Sequence, residues 1–131
     1  LGTNQIGGCI GCASCRKTGE CFRKDIVNEF VEKAESVDGF IFGTPVHYAG
    51  MSGALTSFMD RVFYSAGNSK RGHYFNHKPV ASVICARRAG TTATYDQINK
   101  YYGITQMPII STRYCAMAGA DVSPGDSIPE A

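Results

Sequence analysis

Residues 39–62 read GFIFGTPVHYAGMSGALTSFMDRV. Their order of apolar, small and polar residues decides the fold. Gly39-Phe40-Ile41-Phe42 is a short continuous apolar run that stops at Gly43-Thr44-Pro45. A run apolar on both sides and bounded by breakers predicts a strand buried in a parallel sheet. After a loop through Gly53, the residues Leu55, Phe58, Met59 and Val62 recur at i, i+3, i+4 and i+7. That spacing predicts an amphipathic helix, with Ser52 as its cap.

Working outward, Asp25 to Val37 reads as a helix. Asp25 is its cap, Ile26, Phe30, Val31 and Ala34 (with Val27 beside them) form the apolar stripe, and Glu29, Glu32, Lys33 and Glu35 face water. Downstream, Ser65 to Lys78 is polar and irregular, and Pro79 to Ala86 is a second buried-strand candidate. The small-residue loop Arg87 to Thr92 leads to a helix over Thr94 to Tyr102, ended by Gly103. Pro108 to Thr112 reads as a third strand, and the chain beyond Gly119 as loop. Strands alternating with helices of this length give an α/β, doubly wound parallel sheet with helices on both faces. In such a fold a ligand sits beyond the carboxyl ends of the strands, where Gly43–Ser52 and Arg87–Thr92 lie.

The chain has 131 residues, one domain's worth. Thirteen Lys and Arg against eleven Asp and Glu leave +2, without a basic block, which argues against nucleic-acid binding. With 44% apolar residues a folded core is expected. The apolar runs are too short for a membrane span, and no charged-then-apolar leader opens the chain, so a cytoplasmic protein is expected.

Cys9, Cys12, Cys15 and Cys21 place four thiols within thirteen residues, with Gly7, Gly8, Gly11 and Gly19 relaxing the backbone. Compact spacing of this kind is characteristic of iron–sulfur ligation. Zinc held by four thiolates is a second reading, although zinc sites more often use two separated pairs. Free or redox-sensitive thiols are a third. A disulfide framework fits a leaderless chain poorly. Cys85, on a strand, and Cys115, just after one, read most simply as core residues.

Three segments carry a resemblance. The run FGTPVHYAGMSGALTSFMDRVFYS (42–65) resembles the second flavin-contacting loop and following helix of the flavodoxin-like, NAD(P)H-dependent FMN reductases. CARRAGTTATYDQINKYYGITQMPI (85–109) resembles their third flavin loop. GCIGCASCRKTGECFRKDIVNEF (8–30) has its counterpart there too, including in the archaeal iron–sulfur flavoproteins. The resemblance spans roughly Ile6 to Met117. It implies that residues 1–131 are a partial flavodoxin-like FMN-binding domain. The N-terminal strand and helix, with the loop that holds the FMN phosphate, and a C-terminal helix are not found in this sequence. Phe40 to Phe42 would then show an unpaired edge.

The implied activity is hydride transfer from NAD(P)H through FMN to a quinone, free flavin or similar small acceptor. The turns leaving two neighbouring strands would together form a slot for the flavin ring. Thr44, Pro45, Val46, His47 and Tyr48 would supply backbone donors and a stacking surface, Gly50 and Gly53 would allow close passage, and the helix starting near Gly53 would present its positive end. Arg87, Arg88, Ala89 and Gly90 would face the flavin's pyrimidine edge, where reduction builds negative charge. One Arg could instead meet nicotinamide-cofactor phosphate, and a solvated basic pair is the plain alternative. No general acid or base is required, because the flavin carries the chemistry and the protein positions it. His47 is either a proton donor to a quinone or a surface imidazole. His73 and His77 read as loop residues, and Tyr74 and Phe75 as a flavin cover or a subunit contact.

The cysteine spacing resembles the one that carries a [4Fe–4S] cluster in the iron–sulfur flavoproteins, although related reductases without a cluster keep part of it. That gives a second reading: an electron carrier passing single electrons between FMN, a cluster at Cys9, Cys12, Cys15 and Cys21, and a ferredoxin-like partner. A zinc-stabilised binding module is the remote third. The resemblance also implies a homodimer or homotetramer.

Overall fold

The molecule is seen in a computed structural model that describes residues 1–2, 4–111 and, as backbone, 117–119. Its elements in chain order are α1 (Cys15–Thr18), α2 (Ile26–Lys33), β1 (Phe40–His47), β2 (Gly50–Met51) and α3 (Gly53–Gly67). A 3-10 turn (Lys70–Tyr74), β3 (Val80–Ala86), α4 (Thr91–Ile104) and β4 (Met117–Gly119) follow. The sheet order is β2-β1-β3-β4. β1 and β3 run parallel from Phe40↔Val80 to Pro45↔Cys85, β3 and β4 are parallel, and β2 is antiparallel to β1. This is the flavodoxin-like α/β fold expected, although β2 makes the sheet mixed rather than all parallel and the described helices pack on one face of it rather than both.

Caps set the helix starts. The Asp25 carboxylate accepts from the Val27 N–H at 3.1 Å, and Ser52 Oγ accepts from the Leu55 N–H at 3.3 Å. Burial then orients the helices. Val27 and Val31 of α2, Leu55, Phe58, Met59 and Val62 of α3, and Ile98 and Tyr102 of α4 meet Phe40, Phe42 and Val80 of the sheet in one core. Phe30 sits among its rings, 5.1 Å edge-on from Phe58, and Phe75 lies 5.2 Å from Phe40.

The strands alternate where the sequence predicts burial on both sides. Phe40, Phe42 and Thr44 are buried, whereas Ile41 is 75% exposed. Val83 and Cys85 are exposed on β3, so Cys85 is not a core residue. The reason is that α2, α3 and α4 pack on the even-numbered face of β1 and β3 among the described residues. Cys115 lies outside the described residues.

β1 does not stop at Pro45 but continues to His47. The Phe40 N–H points towards β3, bonding the Pro79 carbonyl at 2.9 Å, so alternation turns Ile41, Gly43 and Pro45 towards the opposite edge. A proline there removes no bond to β3. α3 extends to Gly67, and the segment expected to be irregular carries the 3-10 turn. α4 begins at Thr91 and runs through Gly103 to Ile104, capped at Thr105, whose hydroxyl and N–H both reach the Tyr101 carbonyl. Of the strand expected at Pro108 to Thr112, the described part makes one bridge, Ile109 to Val80. Thr112 is outside the described residues, and β4 comes later, beside Ile84 to Ala86.

Candidate functional site

Two regions hold the residues singled out by the sequence. The first is the end of β1. Val46 pairs with Met51 and His47 with Gly50, so Tyr48 and Ala49 are the two residues of a tight hairpin turn. Both have positive φ, 48° and 60°, as the hairpin geometry that matches strand twist requires. Neither is glycine, so each carries about 1–2 kcal/mol of backbone strain. Thus Thr44 to His47 are strand, and only Tyr48 and Ala49 form the turn.

Three anchors hold this strained tip. Buried Thr44 accepts at Oγ1 from the Ser52 N–H (3.1 Å) and donates to the Pro45 carbonyl (2.8 Å), which ties β1 to the capped start of α3. Gln97 of α4 accepts from the Met51 N–H at 3.1 Å. The third anchor is Gly90, with φ of +97°: a Cβ built on it would stand 2.7 Å from Ala49 Cα and 2.9 Å from Val46 Cγ1. The turns leaving β1 and β3 therefore touch. Outward from that contact, Pro45, His47, Tyr48, Gly53, Arg87, Arg88 and Ala89 are exposed, with Val46 and Gly90 partly so. At the carboxyl ends of two adjacent parallel strands, beside the start of α3, the chain thus presents an exposed tyrosine and two exposed arginines as a candidate flavin ledge. His73 is exposed with its ring edge-on to Tyr74, His77 is exposed, and Phe75 is fully buried, so Phe75 presents no surface to a ligand or subunit.

The second region is a narrow cleft lined by Cys9, Cys12, Cys15 and Cys21 together with Ile10, Phe22, Arg23, Arg61 and Tyr64. Its free space is about 20 Å³, about one water molecule. Cys15 opens α1 and is buried, Cys21 is half-buried, and Cys9 and Cys12 are exposed on a stretch without secondary structure. No three described His, Cys, Asp or Glu side chains stand close enough to hold a single metal ion as they are. Burial pushes the Cys15 thiol up; a backbone hydrogen bond opposes this, and the neighbouring cysteines reinforce it. A thiol raised in this way gives up its proton when a metal group takes the sulfur.

Behind the cleft lies Arg61, 2% exposed. Its Nε and Nη2 donate to Cys21 Sγ at 3.4 and 3.3 Å, and its two Nη atoms grip the Asp25 carboxylate at 2.7 and 2.9 Å. It also reaches the carbonyls of Gly7 and Arg23. Burial pushes the Asp25 carboxyl up, but the hydrogen bonds from Arg61 and from the Val27 N–H outweigh it and hold the group below the usual carboxylate range. Sequence reading missed Arg61, Gln97 and the Thr44–Ser52 link. Arg61 carried one signal: a cation three residues after Phe58, at the border of an apolar helical stripe.

No described helix is long and apolar enough to cross a membrane.

Among known proteins, an iron-sulfur flavoprotein of Methanocaldococcus jannaschii is 30% identical over 135 residues, covering 96% of this chain and 66% of the relative. An iron-sulfur flavoprotein of Archaeoglobus fulgidus is 29% identical over 56% of the chain and 34% of its own length. A second Methanocaldococcus jannaschii iron-sulfur flavoprotein is 40% identical over 44% of the chain and 29% of its own length. The matched stretches thus span between 29% and 66% of these relatives' lengths. The sequence pattern of the family described as NADPH-dependent FMN reductase matches residues 4–121. With the parallel β1–β3 core and the ledge beyond it, that match settles the kinship: this chain belongs to the NADPH-dependent FMN reductase family.

Proposed function

We propose that this chain belongs to an FMN-dependent oxidoreductase whose four clustered cysteines hold a [4Fe–4S] group that exchanges electrons with the flavin. The observation that carries this reading is that Cys9, Cys12, Cys15 and Cys21 line one cleft, with a buried guanidinium directed at one of their sulfurs. The donor set fits iron–sulfur chemistry: four thiols, apolar walls from Ile10 and Phe22, and N–H donors to sulfur. The cleft is narrow, and its two exposed thiols sit on irregular chain beside Gly7, Gly8 and Gly11. The named iron-sulfur flavoproteins support the same reading.

When bound, FMN supplies a two-electron acceptor that also passes single electrons, and the cluster supplies a one-electron site. The chain's own part is placement. Thr44 and Ser52 fix the hairpin against α3, Gln97 fixes it against α4, and Tyr48 offers an exposed ring for stacking. Arg87, Arg88, Ala89 and Gly90 would supply cations and backbone donors to the flavin edge that gains negative charge on reduction.

A second reading is a plain NAD(P)H-dependent reductase with free thiols, passing hydride to a small acceptor such as a quinone. It is favoured by the family's own description and by the exposed pair Arg87–Arg88, suited to a nicotinamide-cofactor phosphate. A ferredoxin-like partner belongs to the first reading, and a homodimer or homotetramer is compatible with both.

Anaerobic purification followed by FMN, iron, acid-labile sulfide and zinc assays separates the readings. FMN with about four irons and four sulfides per chain supports the first reading, and FMN alone supports the second. Stoichiometric zinc without flavin overturns both in favour of a zinc-stabilised binding module.

A further inference from the structure

Arg61 has an arrangement that its helix does not require. It lies in the middle of α3, is 2% exposed, and directs its N–H groups at four partners, Gly7 and three within the run Cys21 to Asp25. Gly7 precedes the cysteine segment, Cys21 closes it, Arg23 follows, and Asp25 caps α2. A structural clamp would need only the carbonyls and Asp25. The two N–H groups on Cys21 Sγ add a fixed positive charge against one thiol of the cleft. Arginine remains charged at any physiological pH, and its fork meets a carboxylate and a sulfur at once.

We infer that Arg61 is a positioning residue for the group held by the four cysteines: it fixes Cys21 and, as a buried charge anchored by Asp25, raises the reduction potential at the cleft. The inference rests on the cluster reading above. Adding one electron to a thiolate-bound iron–sulfur group increases its negative charge without making or breaking a bond. A cation held against one ligand sulfur stabilises the reduced form over the oxidised one. Asp25 works with the opposite sign, since its carboxylate offsets part of the guanidinium charge. Its Oδ1 also accepts the Val27 N–H as the cap of α2. Asparagine caps helices about as well as aspartate, so Asp25→Asn removes the charge while keeping the cap.

The test uses the protein purified without air, with wild type, Arg61→Met, Arg61→Lys and Asp25→Asn compared. Iron and acid-labile sulfide are measured first. The cluster potential is then read by electron paramagnetic resonance during titration with dithionite as reductant. Arg61→Met is expected to lower the potential, so that at the wild-type midpoint the oxidised form outweighs the reduced by about tenfold, about 59 mV for one electron. Arg61→Lys keeps the charge and shifts it less. Asp25→Asn is expected to shift it upward. A clamp without electrostatic effect would lower iron content in all three variants and leave the potential of the loaded fraction unmoved, and that result overturns the inference. So does a shift of Arg61→Met and Asp25→Asn in the same direction. If Met at position 61 prevents folding, the upward shift of Asp25→Asn decides alone. Wild-type protein without iron and sulfide overturns the cluster reading and this inference with it. A fully loaded protein with unmoved potentials overturns this inference only.

Discussion

Gly90→Ala tests the contact between the turns leaving β1 and β3. An alanine there meets two separate obstacles. Its φ of +97° lies outside the wells that L-residues occupy, including the left-handed one near +57°, at a cost of about 1–2 kcal/mol. The new methyl would stand 2.7 Å from Ala49 Cα, 2.9 Å from Val46 Cγ1 and 3.2 Å from Ala49 Cβ. The first is main chain and the second belongs to a β-branched side chain, so neither yields like the free end of a lysine. Ala49 is already strained at φ of 60° and is tied through Gly50 and Met51 to Gln97. Overpacking of this kind costs about 1–3 kcal/mol, so the substitution should destabilise by about 2–5 kcal/mol in all.

Urea unfolding followed by circular dichroism measures this directly. With a slope of about 2 kcal/mol per molar urea, the midpoint should fall by about 1–2.5 M. Gly53→Ala is the matched control, since an added Cβ there meets nothing within 4 Å at the first turn of α3. Where the hairpin yields rather than the whole fold, the loss should appear as a fall of tenfold or more in FMN affinity, read by quenching of flavin fluorescence. If Gly90→Ala keeps both the wild-type midpoint and the wild-type affinity, the two turns are not in contact and the ledge built on them is wrong.

Gly103 presents the opposite case. It sits inside α4 with open space around its Cβ position, so Gly103→Ala should stabilise by about 0.5–1 kcal/mol and raise the melting temperature; a lower one would show a neighbour at that position. The Tyr102 hydroxyl is fully buried and hydrogen-bonds Ser82 Oγ at 2.9 Å. Ser82→Ala should therefore cost about 1–3 kcal/mol in chemical denaturation, and Ser82→Ala with Tyr102→Phe should recover much of the loss. Burial pushes Tyr102 up to about 12, against a smaller opposing effect of the Ser82 hydrogen bond. The raised value makes its contribution complete below about pH 10, and it is lost as pH rises from 10 to 12, by about 1.4 kcal/mol per unit. Tyr102→Phe should remove that part of the alkaline slope, and an unchanged slope would reject the assignment. Tyr101 is raised as well, by burial and by its hydrogen bond to Asp60, so it adds to the same alkaline loss and the slope should shrink in Tyr102→Phe without vanishing.

What the sequence made legible was what repeats. The stripe Leu55, Phe58, Met59, Val62 specified α3 and its buried face, and Asp25 and Ser52 specified two helix starts by their own hydrogen-bonding chemistry. Pairing partners were harder to read. Ile41 and Val83 are apolar and exposed because of which sheet face the described helices cover, and no local pattern encodes that. Pro45 looked like a strand end, yet its missing N–H faces the side of β1 away from β3. Gly103 looked like a helix stop, but nothing at that position requires a positive φ, and the helix passes through it. At the candidate sites the residue types were legible and their partners were not. The cysteine spacing announced a cleft, whereas its link to Arg61 joins positions forty apart in the chain.

That long-range link gives α3 a role neither region shows alone. At its first turn the helix is fixed to the hairpin through Ser52 and Thr44, and eight residues after Gly53 it carries Arg61, which is fixed to Cys21. At 1.5 Å per residue that is about 12 Å of helix between the two anchors. The cysteine segment also folds back along it: a Cβ on Gly8, the residue before Cys9, would stand 3.6 Å from Ser57 Oγ, one turn into α3. A regular helix is a stiff spacer, so the hairpin and the Cys21 side of the thiol cleft are held at a set separation by α3. Buried Met59 and Val62, both fully excluded from solvent, lock that spacer to the core. In an electron-transfer protein such a separation governs the rate, and here it is fixed by core packing that also keeps the molecule folded. The same packing explains why Arg61 can be buried at all: Asp25, presented by the cap of α2, reaches it only because α2 and α3 pack against each other.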